Sequence, residues 1–183
     1  MLKKLLLLPL FIFLNGCFSN NYYVLSTASH PTQYYTSKNR VIGVEKVIVP
    51  KYLFKREIAV AQSASHINFL SGAVWAEDLD AGLTQRLIGF LQKKFKQPNV
   101  YAYPWDVQRQ PTVKVKVQIT RFIAQGDNIY LDGNWEVEYM RTHQRKSRLF
   151  TTVVPTKNDA SSIVDAMDRA FGELEEAVAR GLR

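Results

Sequence analysis

The segment from Val113 to Tyr139 limits the fold of this chain more than any other part of the sequence. It contains two apolar series with a period of two residues, which is the period of a strand that buries one face. The series are Val113, Val115, Val117 and Ile119, followed by Ile129, Leu131, Trp135, Val137 and Tyr139. Gln125-Gly126-Asp127 between them suits a three-residue hairpin loop. The segment therefore predicts two long antiparallel strands joined by a tight turn.

The alternation also predicts the register of this hairpin, because a shift of one residue would move every apolar side chain to the wrong face. The expected opposite pairs are Ala124 with Asn128, Val117 with Trp135, Lys116 with Glu136, and Lys114 with Glu138. The two lysine–glutamate pairs lie on the face opposite the apolar series. Each such pair contributes about 0.2–1 kcal/mol, so charge and hydrophobicity favour the same register.

The flanking sequence predicts further strands and two helices. Strand patterns cover 22–26, 41–49, 57–62, 66–70, 100–105 and 148–154. One helix is expected over 75–96, where leucine or phenylalanine recurs every four residues, and a second follows a cap at Asn158-Asp159. A length of 183 residues suits one core. The order β-β-β-β-α-β-β-β-β-α predicts a single two-layer α+β domain, in which two long helices cover one face of a largely antiparallel or mixed sheet.

The N-terminus has the layout of a secretory signal. Two lysines precede a ten-residue apolar run, Leu5 to Leu14, which is too short to span a bilayer core that needs about 20 residues. A buried N-terminal helix, the alternative, would need an amphipathic period that the run lacks. Leu14-Asn15-Gly16-Cys17 resembles the bacterial lipobox. The resemblance implies cleavage between Gly16 and Cys17 and lipid attachment at Cys17.

This interpretation divides the chain into a signal peptide over 1–16, a lipidated tether over 17–21 and the domain over 22–183. Cys17 is the one cysteine in the sequence, so acylation would leave no free thiol in an oxidising compartment. Phe18 follows it, where lipoproteins retained in the inner membrane carry Asp. The resemblance therefore implies an outer-membrane protein whose domain lies on the periplasmic face.

The sequence offers no catalytic constellation. His30, His66 and His143 are not at metal-ligand spacing from one another, and phosphate-binding, dinucleotide and nucleophile motifs are absent. Glu77, Asp78 and Asp80 fit the start of the first helix, where carboxylates complement the helix dipole. We expect a protein that is not an enzyme and has no cofactor or metal.

A net charge of +8 directs attention to a basic segment from Arg141 to Arg148. Its basic residues are Arg141, Arg145, Lys146 and Arg148. Nucleic acid is not the expected partner, because an exported, lipid-anchored protein meets little of it. Three interpretations stay open: a solvated hairpin loop, a docking site for a protein partner, and contact with anionic lipid headgroups.

An ordered series of motifs resembles the PqiC/YmbA group of ABC-type transport auxiliary lipoproteins. The series consists of Tyr22-Tyr23-x-Leu25, Ile42-Gly43-Val44, Val49-Pro50-x-Tyr52-Leu53, Trp75-Ala76-Glu77-x-Leu79, Tyr103-Pro104-Trp105 and the hairpin that carries Trp135. Together with the lipobox, these motifs extend the resemblance over residues 17 to 181.

The resemblance implies an outer-membrane lipoprotein that serves an MCE-type phospholipid transport system. Such systems have an inner-membrane ABC or permease complex and MCE-domain rings or tubes across the periplasm. The implied role is to dock that conduit at the outer membrane, as a homo-oligomer. Tyr52 and Leu53 fit either a partner contact or a core position, whereas Trp75 and Trp105 are expected to anchor the core. The alternative function is an envelope scaffold or pilotin-like assembly lipoprotein with no transport role.

Overall fold

The computed structural model describes residues 20–36, 40–105 and 110–183 of the chain. The elements are β1 (Asn21–Tyr23), β2 (Ile42–Glu45), β3 (Glu57–Ser63), β4 (His66–Trp75), α1 (Leu79–Phe95), β5 (Val100–Tyr103), β6 (Val113–Gln125), β7 (Asn128–Tyr139), β8 (Gln144–Pro155) and α2 (Ala160–Gly181). A 3₁₀ turn over Lys51–Phe54 separates β2 from β3. The strands form one mixed sheet, so the predicted α+β class and element order are confirmed.

Strand β6 is the centre of this sheet. One of its edges pairs with β7 along almost its full length, and β7 in turn pairs with β8. Its other edge is divided: Ile42–Val44 of β2 pairs with the start of β6, and Val60 and Ala61 of β3 pair with its last two residues. Beyond these, β5 extends the sheet from β2, while β4 and β1 extend it from β3.

The predicted register of the β6–β7 hairpin is correct in its first half. Val117 lies opposite Trp135, Lys116 opposite Glu136 and Lys114 opposite Glu138. The predicted turn is wrong by one residue, because Gln125 still pairs with Asn128 and the loop contains only Gly126 and Asp127. Gly126 adopts φ +57°, a conformation that glycine supplies at no steric cost and that tight hairpins favour.

A β-bulge accounts for this difference in register. The pairing shifts by one residue between Ile119 and Arg121, so Ala124 lies opposite Ile129 and not opposite Asn128. An extra residue in one strand leaves the alternation intact on each side of it. The first half of the hairpin can therefore follow the parity rule while the second half is displaced by one position.

Both helices pack on the face that carries the apolar series. The side chains of β6 at 113, 115, 117 and 119 are buried, whereas those at 116, 118 and 120 are exposed. Helix α1 begins at Leu79 and not at the predicted residue 75, because β4 continues to Trp75, which pairs with Tyr23. Asp159 caps α2 as predicted, since its Oδ1 accepts a hydrogen bond from the Ser162 N–H at 2.9 Å. Neither described helix is long and apolar enough to cross a membrane.

Trp135 joins β7 to the C-terminal turn of α2. It is 5% exposed, and a Cβ atom added at Gly181 would lie 2.4 Å from its ring. Only glycine therefore lets the helix approach the indole this closely.

We expect Trp135→Ala to lower the free energy of unfolding by about 3–5 kcal/mol, because it removes a large side chain from a packed core. Glu136→Ala is the matched control on the opposite face, where Glu136 accepts a hydrogen bond from the Ser147 hydroxyl. Its cost should be below about 1 kcal/mol. Urea unfolding of the two variants measures both values, and equal losses would contradict the observed register.

Candidate functional site

The directions of the strands orient the start of β1 and the β7–β8 turn toward opposite ends of the sheet. β1 runs parallel to β4, β4 antiparallel to β3, and β3 parallel to β6. The N-terminal end of β1 therefore points toward the end of the sheet where β6 turns into β7, which we call the tether end. The β7–β8 turn, residues 140–143, marks the opposite or distal end. Twelve residues of β7 separate the two ends, a distance of about 35–40 Å at strand rise.

An aromatic cluster covers the distal end of the sheet face that the helices leave open. The centroid of the Trp105 ring lies 5.4 Å from that of Tyr103 and 5.8 Å from that of Tyr101, and both pairs meet edge to face. A Cβ atom at Gly43 would be 2.8 Å from Trp105, so the indole rests directly on the backbone of β2. Trp105 is thus half-buried on the open face, whereas Trp75, 2% exposed, lies in the main core as predicted.

Next to this cluster, Glu138 forms ion pairs with two basic side chains. Its carboxylate lies 3.0 Å from the Lys114 ammonium and 3.2 Å from the Arg145 guanidinium. The hydrogen bond from Lys114 and the one from Arg145 lower the pKa of Glu138, and the same contact raises the pKa of Lys114. Lys114 also lies 5.5 Å from the centroid of the Tyr103 ring. The aromatic and charged groups therefore form one continuous surface.

The predicted basic segment is a strand and not a loop over most of its length. β8 begins at Gln144, so its side chains alternate between the two faces. Arg145 lies on the open face opposite Glu138, whereas Lys146 and Arg148 lie on the helix-covered face, opposite Val137 and Trp135. The hairpin-loop interpretation of this segment is therefore wrong for residues 144–148.

Arg141 is exposed in the β7–β8 turn, close in sequence to Arg145. We use the name distal surface for Tyr101, Tyr103, Trp105, Lys114, Glu138, Arg141 and Arg145. This surface offers aromatic area flanked by basic side chains, and aromatic residues and arginine are enriched at protein interfaces. Sequence reasoning found its charges but did not place the aromatic residues beside them.

Tyr52 and Leu53, the other residues predicted as partner contacts, make contacts within the domain. The Tyr52 hydroxyl accepts a hydrogen bond from the Phe122 N–H at 3.0 Å, next to the bulge in β6. Burial raises the pKa of Tyr52. Leu53 is 3% exposed and belongs to the hydrophobic core, so the described fold does not present its side chain to a partner.

The predicted lipid site, Cys17, and the cleavage position at Gly16 lie outside the described residues. Within residues 20–36, 40–105 and 110–183, no group of three His, Cys, Asp or Glu side chains is placed to hold a metal ion. Asp80 of the acidic trio forms an ion pair with Lys46 at 2.6 Å. It therefore joins α1 to the segment after β2.

A buried ion cluster joins the two helices and was missed by sequence reasoning. Arg86 of α1 is fully buried and donates from Nε to Glu175 at 3.2 Å, and it also binds Asp168. Its guanidinium carbon lies 5.4 Å from the centroid of the Phe171 ring. Asp168 and Glu175 are seven residues apart on α2, a spacing that places them on one helix face. That spacing within an apolar stripe is the signal that could have identified them.

The same cluster holds the segment that follows β1. The Ser29 hydroxyl donates to Glu175 at 2.8 Å, and Lys94, nearly fully buried, binds Glu176 at 2.6 Å. Lys94 also lies 4.5 Å from the centroid of the Tyr35 ring. Residues 24–36 are thereby fastened across both helices. Burial raises the pKa of Glu175 to about 7, against the opposing effect of the Arg86 charge.

The comparisons with known proteins identify the class. Residues 23–179 match the family described as the ABC-type transport auxiliary lipoprotein component. The chain therefore belongs to this family, which confirms the resemblance found in the sequence motifs. It is a lipoprotein component that assists an ABC-type transport system.

Individual relatives agree with this assignment. The chain is 28% identical over 144 residues to the intermembrane transport lipoprotein PqiC of Escherichia coli K12, an alignment that covers 73% of each protein. A crystal structure of a Xanthomonas campestris protein has the same fold, with a TM-score of 0.74 at 16% identity over 87% of this chain and 92% of that one. A second crystal structure, of an uncharacterised protein, gives 0.74 at 20% identity over 90% and 99%.

The ion cluster predicts how two variants differ in stability. Arg86→Met leaves the Glu175 carboxyl group buried without its partner, and we expect a loss of about 3–5 kcal/mol in the free energy of unfolding. The double variant Arg86→Met with Glu175→Leu removes both charges and should recover most of that loss. Urea unfolding at neutral pH compares them. A double variant as unstable as the single one would contradict this account.

The free energy of unfolding of the wild-type protein should also depend on pH through Glu175. The native pKa of Glu175, about 7, exceeds its ordinary value of 4.5. Between these pH values the folded chain holds a proton that the unfolded chain has released, so this group lowers the free energy of unfolding as the pH rises from 4.5 to 7. The double variant should lack this contribution.

Proposed function

We propose that this protein is anchored in the outer membrane through acyl chains on Cys17 and docks the periplasmic conduit of an MCE-type phospholipid transport system. Its role in that system is structural and not catalytic. The proposal extends the family assignment, which covers a lipoprotein component of transport. PqiC of Escherichia coli, a relative, is named an intermembrane transport lipoprotein.

The observation that carries the docking role is the position of the distal surface. The chain enters the sheet from the tether end, whereas Arg141, Arg145 and the aromatic cluster lie at the other end. A protein held to a bilayer by residue 17 can then present this surface to a partner that approaches across the periplasm. Aromatic side chains with adjacent arginines are enriched where protein interfaces gain most of their affinity.

The anchor carries the outer-membrane part of the proposal. Several acyl chains on one cysteine hold a protein on a bilayer almost permanently, since each buried CH₂ contributes about 0.8 kcal/mol. Cys17 is the one residue in the sequence that offers a thiol. Phe18 in place of Asp supports sorting to the outer membrane.

Cys17→Ala should abolish palmitate labelling and leave the precursor uncleaved or the protein soluble. Phe18→Asp is the matched variant: it should keep the label but move the protein to the inner membrane. Membrane fractionation after palmitate labelling measures both. A Cys17→Ala protein that is labelled and still fractionates with the outer membrane would refute the anchor.

The docking role predicts the result of a charge reversal at the distal surface. Tagged wild-type protein, purified from detergent-solubilised envelopes of its own host, should recover an MCE-domain protein with its ABC or permease complex. Arg141→Glu with Arg145→Glu should reduce that recovery about tenfold or more, because like charges at an interface are strongly unfavourable. Lys55→Glu with Lys157→Glu makes the same change in net charge at exposed positions away from this surface.

Quantitative mass spectrometry of the recovered proteins decides between outcomes. Equal recovery with both double variants would exclude the distal surface as the docking site. Recovery of a secretin or a cell-wall synthase, with no MCE-domain protein, would favour the alternative scaffold or pilotin-like role.

The proposed assembly is a cyclic homo-oligomer, because rings of identical subunits suit the end of a tubular conduit. Light scattering of the lipidated protein in detergent should give a multiple of the subunit mass. A monomer, both alone and with its MCE-domain partner, would contradict this part of the proposal.

A further inference from the structure

The β3–β4 hairpin projects from the tether end of the sheet. β3 pairs with β6 only at Val60 and Ala61, and Ala61 already lies beside Gln125, the last residue of β6. Residues 62–66 therefore lie beyond the last residue of β6, and all five are exposed. This hairpin reaches further in that direction than the central strands.

The hairpin also differs chemically from the rest of the chain. Residues 58–75 contain no Asp, Glu, Lys or Arg, although 22% of the whole sequence is charged. The exposed turn, Gln62–His66, consists of small and neutral polar residues around one histidine. Phe69, three residues further along β4, is 43% exposed. A neutral turn is therefore followed by an exposed aromatic ring.

Clefts on both sides show that the hairpin stands free of its neighbours. One cleft, of about 480 Å³, is lined by Phe69 and Leu70 together with residues of the β6–β7 turn. The other, of about 460 Å³, is lined by Ile67 and by Ile123 of β6. Ile67 and Leu70 are partly exposed beside these clefts, whereas Ile123 is buried.

The outer edge of β4 has neither a paired strand nor charged side chains over residues 66–72 of the described chain. β1 pairs only with Ala73, Val74 and Trp75 of β4, so the edge over residues 66–72 has no strand beside it within the described chain. Sheet edges exposed to water are commonly protected by charged side chains. The other long edge strand, β8, has this protection in Arg145, Lys146 and Arg148.

The register of β1 bears on where the proposed anchor at Cys17 would lie relative to this uncharged region. Asn21 pairs with Ala73 in a parallel register, and four residues earlier on β4 is Phe69. Four residues also separate Cys17 from Asn21, a reach of at most about 14 Å. An extended tether would bring the acylated cysteine level with the exposed Phe69 ring.

We propose that the tip of the β3–β4 hairpin, Gln62–Phe69, is a membrane-contact surface that rests on the leaflet holding the Cys17 acyl chains. This inference depends on the anchoring part of the proposed function. Neutral side chains can enter the headgroup region without the free-energy cost of desolvating a charge. Phe69 supplies apolar area that can be buried at the boundary between headgroups and acyl chains.

Contact at the tip determines the orientation of the domain. With the anchor and the hairpin both at the bilayer, the long strands point away from it. The distal surface then stands about 35–40 Å from the tether end, the length of a twelve-residue strand. The lipid and the proposed protein partner are thereby assigned to opposite ends of one sheet.

A fluorescent label on the full-length lipidated protein tests this contact. Because acylation consumes Cys17, Ser65→Cys introduces a single free thiol at the hairpin tip, and Thr142→Cys introduces one at the distal turn as the matched control. Each thiol is labelled with an environment-sensitive fluorophore. The protein is reconstituted in vesicles of phosphatidylethanolamine and phosphatidylglycerol, with and without a doxyl-labelled lipid that quenches emission.

We expect the doxyl lipid to reduce emission at position 65 about twofold, because segments at an interface lie roughly 5–10 Å into the headgroup and acyl boundary. Emission at position 142 should not change. Ala64→Glu beside the label should weaken the quenching at position 65, since a carboxylate resists transfer from water.

The other outcomes overturn the proposal in distinguishable ways. Protein that floats with the vesicles but shows no quenching at position 65 refutes the hairpin contact and leaves the anchor intact. A blue shift at position 65 that grows with protein concentration at fixed detergent, without quenching by lipid, assigns the hairpin to a second copy of the chain. Protein that carries no acyl group and does not float refutes the anchor, and the hairpin proposal fails with it.

Discussion

The divided edge of β6 is the constraint on which the rest of the structure depends. β2 takes the first part of this edge and β3 the last two residues. The backbone groups between them need other partners, because an unpaired buried N–H costs free energy. Ile48 bonds to Val117 and Ile119 there, and the Tyr52 hydroxyl accepts the Phe122 N–H beside the bulge. The turn over Lys51–Phe54 thus supplies, through Tyr52, a hydrogen-bond partner for β6 at a position where no strand of the described chain pairs with this edge.

This division gives the sheet two ends with different chemistry. β2 brings β5 and its aromatic residues to the distal end, beside the Lys114–Glu138–Arg145 cluster. β3 brings β4 and its uncharged hairpin to the tether end, together with β1. An adaptor between a membrane and a soluble partner needs this separation of surfaces. The proposed functions follow from it.

The buried cluster around Arg86 connects the segment after β1 to the body of the domain. Ser29 binds Glu175, and Glu175 binds Arg86, so the segment after β1 is fastened to both helices. A buried ion pair is weak support for stability, because desolvation offsets much of the attraction. It does specify which side chains meet, and here it fixes how residues 24–36 cross the helices.

Local periodicity was enough to predict much of this protein. A two-residue period determines which face of β6 and β7 is buried, and a four-residue period does the same for α1, because each depends only on neighbouring residues. The element order, the fold class, the cap at Asp159 and the first half of the hairpin register follow from such patterns. The motif series likewise identified the family.

Tertiary structure decided the features that depend on residues far apart in the chain. The bulge after Ile119 and the two-residue turn at Gly126 displace the register by one position, and local alternation is unchanged by that displacement. Arg86 lies in the core because Asp168 and Glu175, more than eighty positions later, accept its hydrogen bonds there. Trp105 is on the open face because Gly43 leaves room for its ring. These side chains gain their partners only when the sheet has formed, so no window of sequence contains the information.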